Sequence, residues 1–388
     1  MDYQKKDLPE NIIKTGWIVT AVGFILVIAS YLVDSQRAAF NNLIGFMFLL
    51  TITAGGVVLV ALEYLAGAVW STPMRRVSEF LGAAFPFAVI LAIPLFFNLH
   101  SLFEWTHKDI VQNDAALQGK SSYLNISSFT IRFIIIVIVF YLFYWLFTRN
   151  SRKQDVTKDQ KLTWINVKLS APFMPIAAFG LSILAIDWMM SLAPHWYSTI
   201  FGFYFLTGVV LAGLGATSYI VVKLNEKGYF QPPLRDDHYY SLGALMFAFT
   251  NFWAYIAFSQ FLLIWYANIP EETLWFLARW NGSWKYISVA LIFVRFAVPY
   301  VGLLSQPSKM DPKRLKIMGL WLVFSQLFDL YWLVMPTLGS SIIFGWMEIA
   351  FPVLVIGIII LVFSMQVKKH NLMPIGDPKL QRGIDFEL

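Results

Sequence analysis

The chain is 388 residues long, 58% hydrophobic and 13% charged, with a mean hydropathy of +0.63 and a net charge of +6. A soluble domain is about 25% charged, and no soluble fold hides this much apolar surface, so most of the chain is expected to lie in lipid. The absence of cysteine excludes disulfides, zinc-thiolate sites and thiolate-held iron–sulfur clusters within the chain.

The first fourteen residues mix acids with lysines and carry no cleavage-site pattern, so the first apolar stretch reads as a retained helix and the mature protein is expected to start near Met1. A spanning helix needs roughly 20 apolar residues. Ten segments qualify: 15–33, 40–68, 77–99, 129–147, 173–192, 198–224, 241–267, 284–304, 317–335 and 346–367. The expected fold is an all-α integral membrane protein, one polytopic domain over 1–388. An even number of spans puts both termini on one side. That side and its connections carry 22 of the 29 Lys and Arg residues, Lys5, Arg75 and Arg76 among them. The opposite side carries Arg37, Lys108, Lys120, Arg132, Arg279 and Lys285, and Arg295 alone falls deep within a span. The bias makes the termini cytoplasmic, and it explains the net charge by topology rather than by nucleic-acid binding. On the opposite side only the 100–128 and 268–283 connections are long, and Trp105, Trp196, Trp275, Trp280 and Trp284 are placed there as an aromatic belt.

The fifth and ninth spans end alike. Asp187 stands seven residues before Pro194, Asp329 seven before Pro336, and an Ile-Phe-Gly follows each, at 200–202 and 343–345. A weaker echo, Ile131-Arg132-Phe133 against Val294-Arg295-Phe296, lies in the span before each aspartate. These matches suggest two parallel four-helix bundles, 40–192 and 198–335, with the first and last spans outside them.

Ionisable groups inside spans cost about 2.5–3.5 kcal/mol each on insertion scales, which makes each a functional candidate. Glu63, Glu79, Asp187, Arg295 and Asp329 lie at different depths, as a proton path requires. The other reading of Arg295 is a buried pair with a nearby carboxylate. On the side away from the termini, His100, Glu104 and His107 have the spacing of one helix face, with Asp187 and His195 nearby. Such residues suit a metal, but no second cluster with ligand spacing accompanies them and none is expected; they suit quinol oxidation, with a histidine taking one hydroxyl proton and a carboxylate orienting the other, and equally ordinary hydrogen-bonded surface positions. All five histidines lie at span ends or in loops, so a haem held inside the membrane is not expected.

The Asp187–Leu192 and Pro194–Thr199 stretches, with Leu99–His107, resemble the membrane subunits of bacterial alternative complex III, which are NrfD/polysulphide-reductase-like; the chain is similar to the second, shorter of the two. The resemblance implies a bacterial inner-membrane subunit of a respiratory quinol:cytochrome c (or oxidase) oxidoreductase. It implies menaquinol or ubiquinol as the molecule oxidised, with menaquinone or ubiquinone as the bound form left behind, and no cofactor held by this chain's own ligands. The implied partners are the longer NrfD-like membrane subunit, to which the principal quinol site is assigned, an iron–sulfur protein and c-type cytochrome subunits that carry the clusters and haem c, and a terminal oxidase. It carries His100 and Asp187, with Glu104 and His195 beside them, as quinol-site candidates, and Glu63, Glu79, Asp187 and Asp329 as a proton path. The competing readings are a proton- or ion-coupled secondary transporter using the same acids, and a structural anchor with no quinol site of its own.

Overall fold

A computed structural model describes residues 6–388, so Met1 and Lys5 lie outside the described residues. Ten helices are long and apolar enough to cross a membrane: α1 Glu10–Val33, α2 Ser35–Ala66, α3 Thr72–Phe96, α4 Ile126–Thr157, α5 Lys161–Leu192, α6 Phe201–Glu226, α7 Asp236–Ala267, α8 Trp284–Gly302, α9 Pro312–Thr337 and α10 Trp346–Lys369. No strand occurs among the described residues. The protein is an all-α, multi-pass membrane protein. The start of α1 and the 370–388 segment lie on one side, here the tail side; the other is the far side.

Several helices outrun their apolar segments, because helical hydrogen bonding does not stop where the hydrophobic run ends. Helix α4 continues to Thr157, where Lys158 closes it in the left-handed conformation. The largest shift is in α5, which begins at Lys161 rather than near 173. Helix α3, expected as one continuous span, is broken between Arg75–Gly82 and Phe85–Phe96. Pro86 there has no N–H to give the Gly82 carbonyl. In α8 the turn Phe293–Ala297 is π-helical, and Pro299 leaves the Arg295 carbonyl without its usual donor.

Helix α2 is the centre of the molecule, buried along nearly its whole length. It packs on α3 and α5, and α4 packs on α5; α6 packs on α7 and α9, and α8 on α7 and α9. The two groups meet where α2 crosses α6, and α1 lies against α10, outside both. Lipid supplies no hydrophobic force between helices, so small residues that let backbones touch decide these crossings. A Cβ on Gly55 would stand 2.4 Å from the Val209 carbonyl oxygen, and Gly215 and Gly319 each sit so that a Cβ would come within 2.7 Å of the other's carbonyl oxygen. A Cβ on Gly23 would lie 2.5 Å from the Leu354 backbone, and one on Gly357 would lie 2.5 Å from that of Thr20.

Two sequence expectations for the far side need correction. Trp105, Trp196, Trp275 and Trp284 are buried within the protein and only Trp280 is exposed. The rings of Trp196 and Trp275 stack at 4.4 Å, so these tryptophans fasten the far-side loops rather than forming a belt against lipid. Arg279, counted as a loop cation, is also buried; it donates to the Trp332 and Leu333 carbonyls at 3.2 and 2.7 Å, satisfying the end of the α9 helix. On the tail side the 371–388 segment folds back over the bundle, where His238 Nε2 donates to the Gly383 carbonyl at 2.8 Å.

Candidate functional site

The buried ionisable residues gather in three places. Near the far side, Asp187 in the last turns of α5 is held by Arg132 from α4. The guanidinium donates twice, Nε to Oδ2 at 2.8 Å and Nη2 to Oδ1 at 2.9 Å, the fork geometry that makes such pairs strong. Arg132 is in turn fixed by the Tyr123 carbonyl at 2.9 Å and by the Tyr123 ring, 3.8 Å below it. Burial, with the Asp187 carboxylate, holds the Tyr123 phenol well above its usual range, so it stays a hydroxyl donor toward Asp187. Arg132, assigned from sequence to the far-side flank, is thus the partner of Asp187 inside the bundle. Next to it Trp188 is ringed edge-on by Phe46, Phe96, Phe103, Phe129 and Phe133, which fixes the end of α5.

The helix face expected for His100, Glu104 and His107 does not exist. A short helix covers only Leu99–Leu102, Phe103 is extended, and Glu104–Thr106 form a separate turn. His100 is exposed and shares a hydrogen bond with Thr106 at 3.0 Å, while His107 Nε2 meets the His100 carbonyl at 2.8 Å. Glu104 is exposed, and His195 lies 3.3 Å from Asp114 on the surface. None of these four forms a hydrogen bond or ion pair with Asp187, whose side chain is engaged by Arg132 and Tyr123 instead. Among the described residues no group of three His, Asp or Glu is placed to hold a metal.

The second place is the middle of the α6–α9 group. Arg295, on the π-helical turn of α8, is fully buried and points at Asp329 of α9, with Nε 3.4 Å from Oδ2. That is an ion pair without a formed hydrogen bond: Nε has no hydrogen-bond partner, and Nη2 donates to Gln326 Oε1. Tyr204 of α6 donates its hydroxyl to Asp329 Oδ1, and the guanidinium lies 4.9 Å from the Trp253 ring. Gly208 makes the room, because a Cβ there would stand 2.9 Å from Arg295 Nη2 and 2.8 Å from Gln326 Oε1.

The third is the tail end of α2 and α3. Arg75 pairs with Asp377 at 2.5 Å and Arg76 with Asp155 at 2.8 Å, while Glu79 lies between them, 3.6 Å from Arg75 and 3.4 Å from Arg76. Glu63, one turn from the end of α2, forms no ion pair in this network, although the Arg75 charge acts on it. Its Oε2 is shut off from solvent with no hydrogen-bond partner, at the wall of a cavity of about 490 Å³ bounded by α2, the start of α3, α6 and α7. Ser78 and Thr217, 3.2 Å apart, join α3 to α6 at the same cavity. From Thr217 to Thr207, α6 carries only Gly, Ala, Val and Leu, about 15 Å of helix with no hydrogen-bonding side chain. Along α6, then, no side chain can pass a hydrogen bond between the tail-side acids and the Arg295–Asp329 pair, and in this stretch Gly55 meets Gly213.

The structure thus adds Arg132, Tyr123, Tyr204 and Gln326 to the candidates. The Arg132/Arg295 echo pointed to the first, and Gln326 stands three residues before Asp329 on one helix face. Tyr204 had no local signal, since it comes from a helix remote in sequence from Asp329.

No family model matches this chain, and no curated protein matches it.

Proposed function

We propose that this chain is a membrane subunit of a quinol-oxidising electron-transfer complex, similar to the second NrfD-like subunit of bacterial alternative complex III, and that its own task is moving protons. The observation that carries this reading is Asp329, held in a water-poor interior between a cation and a phenol, with other carboxylates nearer each face. A proton arriving at Asp329 neutralises it and ends its attraction to Arg295. The guanidinium then keeps Gln326 as its partner, so the cost of uncovering the buried charge is lowered. Asp187, bound by Arg132 and Tyr123 near the far side, is the corresponding exit group; Glu63 and Glu79 are the entry groups. The apolar stretch of α6 separates the entry groups from Asp329, as a pathway that must not leak requires, and a proton crosses it by transient water or by helix movement.

In this reading the tail side faces the cytoplasm of a bacterial inner membrane. The longer NrfD-like subunit, iron–sulfur protein and c-type cytochromes supply the redox centres, and His100 and Asp187 border the quinol-facing side. The test is Asp329→Asn in the purified complex: the proton-to-electron ratio is expected to fall while quinol oxidation persists. An unchanged ratio, or a chain that purifies colourless and without haem-bearing partners, overturns the proposal.

A further inference from the structure

The tail ends of α4 and α5 form a helical hairpin that stands beyond the apolar segments of both helices. Helix α4 runs on from Phe147 to Thr157, and α5 covers Lys161 to Pro172 before its apolar segment begins, about 15 Å of each helix at 1.5 Å per residue. The inner face of this extension is fastened. Asn150 donates to Asn166 at 2.8 Å and Gln154 to Thr163 at 2.7 Å across the two helices, and the Ser151 carbonyl accepts from Arg76 of α3 at 3.0 Å. With the helices antiparallel, these pairs put Arg149 at the depth of Lys168, and Lys153 one turn nearer the tail side, close to the depth of Lys161. All four cations are exposed. Other tail-side cations are neutralised inside the protein, Arg75 by Asp377, Arg76 by Asp155 and Lys316 by Glu226. These four have no such partner: Arg149 lies 4.8 Å from the centre of the Trp145 ring, and the Lys153, Lys161 and Lys168 side chains form no hydrogen bond or ion pair with a described residue. Between Trp145 and Pro172 the acids are Asp155, held by Arg76, and Asp159, whose carboxylate accepts from the Lys161 backbone N–H at 2.9 Å.

The residues around the four cations select the occupant. On α4, Ile138, Leu142, Trp145, Arg149 and Lys153 recur at steps of three and four residues and are all exposed, so one helix face runs from hydrocarbon to charge without a break. On α5, Trp164 and Ile165 are exposed beside Lys161 and Lys168, and an indole in that place settles at headgroup depth. Soluble anions and acidic protein segments match the charge but not the apolar face that continues from it. A phospholipid matches both, because its acyl chains lie along the helices below its phosphate, and near an anionic leaflet each Lys or Arg adds its own attraction within a Debye length. A zwitterionic head brings a cation of its own to the same place and is disfavoured. We propose that the α4–α5 hairpin binds an anionic phospholipid of the tail-side leaflet, with the phosphate among Arg149, Lys153, Lys161 and Lys168 and the acyl chains along Ile138 and Leu142. The site is independent of proton movement and of any redox partner.

The test exploits the absence of cysteine. The full chain carries one fluorophore, introduced through Ile165→Cys within the patch or through Ile317→Cys at the exposed tail end of α9, where Lys316 is paired with Glu226 and Arg314 donates to Ser308. Each labelled protein is reconstituted in phosphatidylcholine vesicles that hold a small share of phosphatidylglycerol, or of phosphatidylcholine, with a nitroxide on the acyl chain near the head. Phosphatidylglycerol is expected to quench the Ile165→Cys label severalfold more than phosphatidylcholine does, with little preference at Ile317→Cys. Replacing Arg149, Lys153, Lys161 and Lys168 together by Gln should abolish the preference, and Lys153→Gln with Lys161→Gln should already weaken it; size-exclusion profiles establish that each variant is folded. Equal preference at the two labels reduces the effect to the general positive charge of the tail side and overturns the site, as does a preference that survives the fourfold change. Loss of the preference in inorganic phosphate, but not in chloride of the same ionic strength, makes the occupant a free anion and overturns the lipid assignment.

Discussion

Asp187 and Asp329 occupy matching places, each seven residues before a proline near the far end of a long helix, each met by an arginine from the preceding span and by a tyrosine hydroxyl. Their surroundings differ. Arg132 is about a fifth exposed and closes a full fork on Asp187; Arg295 is wholly buried, is 3.4 Å from Asp329 and shares its guanidinium with Gln326. The tyrosine of the first pair comes from the far-side loop and is 38% exposed, whereas that of the second comes from α6 and is 5% exposed. A tight fork near the surface is a fastener. A loose, many-partnered pair in the dry interior can exchange partners when its charge changes, and that difference is what assigns the proton-moving step to the second group of helices.

The comparison is broken most severely by taking away one cation at a time. Arg295→Met leaves Asp329 buried and uncompensated, with an expected loss of about 3–5 kcal/mol. Asp187 is as buried as Asp329, but Arg132 is itself about a fifth exposed, so in Arg132→Met water can enter where the guanidinium stood and the expected loss is nearer the roughly 1.5–3 kcal/mol of a charge-assisted hydrogen bond. Thermal unfolding in detergent measures both, and equal losses would erase the distinction between interior and surface. Adding Asp329→Leu to Arg295→Met is expected to restore most of the stability, because a buried pair replaced by apolar groups is often neutral; proton coupling should stay lost, separating the pair's structural role from its function.

A smaller effect is expected from Gly208→Ala. The added methyl must displace Arg295 or Gln326, an overpacking that costs about 1–3 kcal/mol. The first pair has no such cradle, and a crystallographic or cryo-EM comparison should show movement confined to the α6–α9 group. The smallest is the loss of one phenol: Tyr123→Phe and Tyr204→Phe each remove a hydrogen bond to a carboxylate. The exposed position is expected to cost least, about 0.5–1.5 kcal/mol, and only Tyr204→Phe should alter proton release. If Tyr123→Phe alters it more, the roles of the two groups are reversed.

Much of the architecture was legible from hydropathy. Each expected span corresponds to one of the ten helices, because a run of apolar residues long enough to cross lipid has no other way to satisfy its backbone. The correspondence of the Arg132–Asp187 and Arg295–Asp329 pairs was visible in the Asp-to-Pro spacing and in the paired arginines. What failed was local: the spacing of 99–107 allows one helix, yet Phe103 turns the chain and scatters His100, Glu104 and His107. Residue type alone places the tryptophans at the membrane edge, while their burial depends on how the far-side loops fold.

Sequence by itself determined how many times the chain crosses the membrane and which few charges enter it, since both follow from the cost of placing polar groups in hydrocarbon. Only the tertiary structure decided which charge meets which. Arg132 reaches Asp187 because α4 packs on α5. Tyr204 reaches Asp329 because Gly215 and Gly319 let α6 and α9 touch, and Glu63 is left facing a cavity because α7 stands off from α2. Pairing depends on distances between residues far apart in the chain, and those distances are set by the small residues at helix crossings rather than by the charged residues themselves.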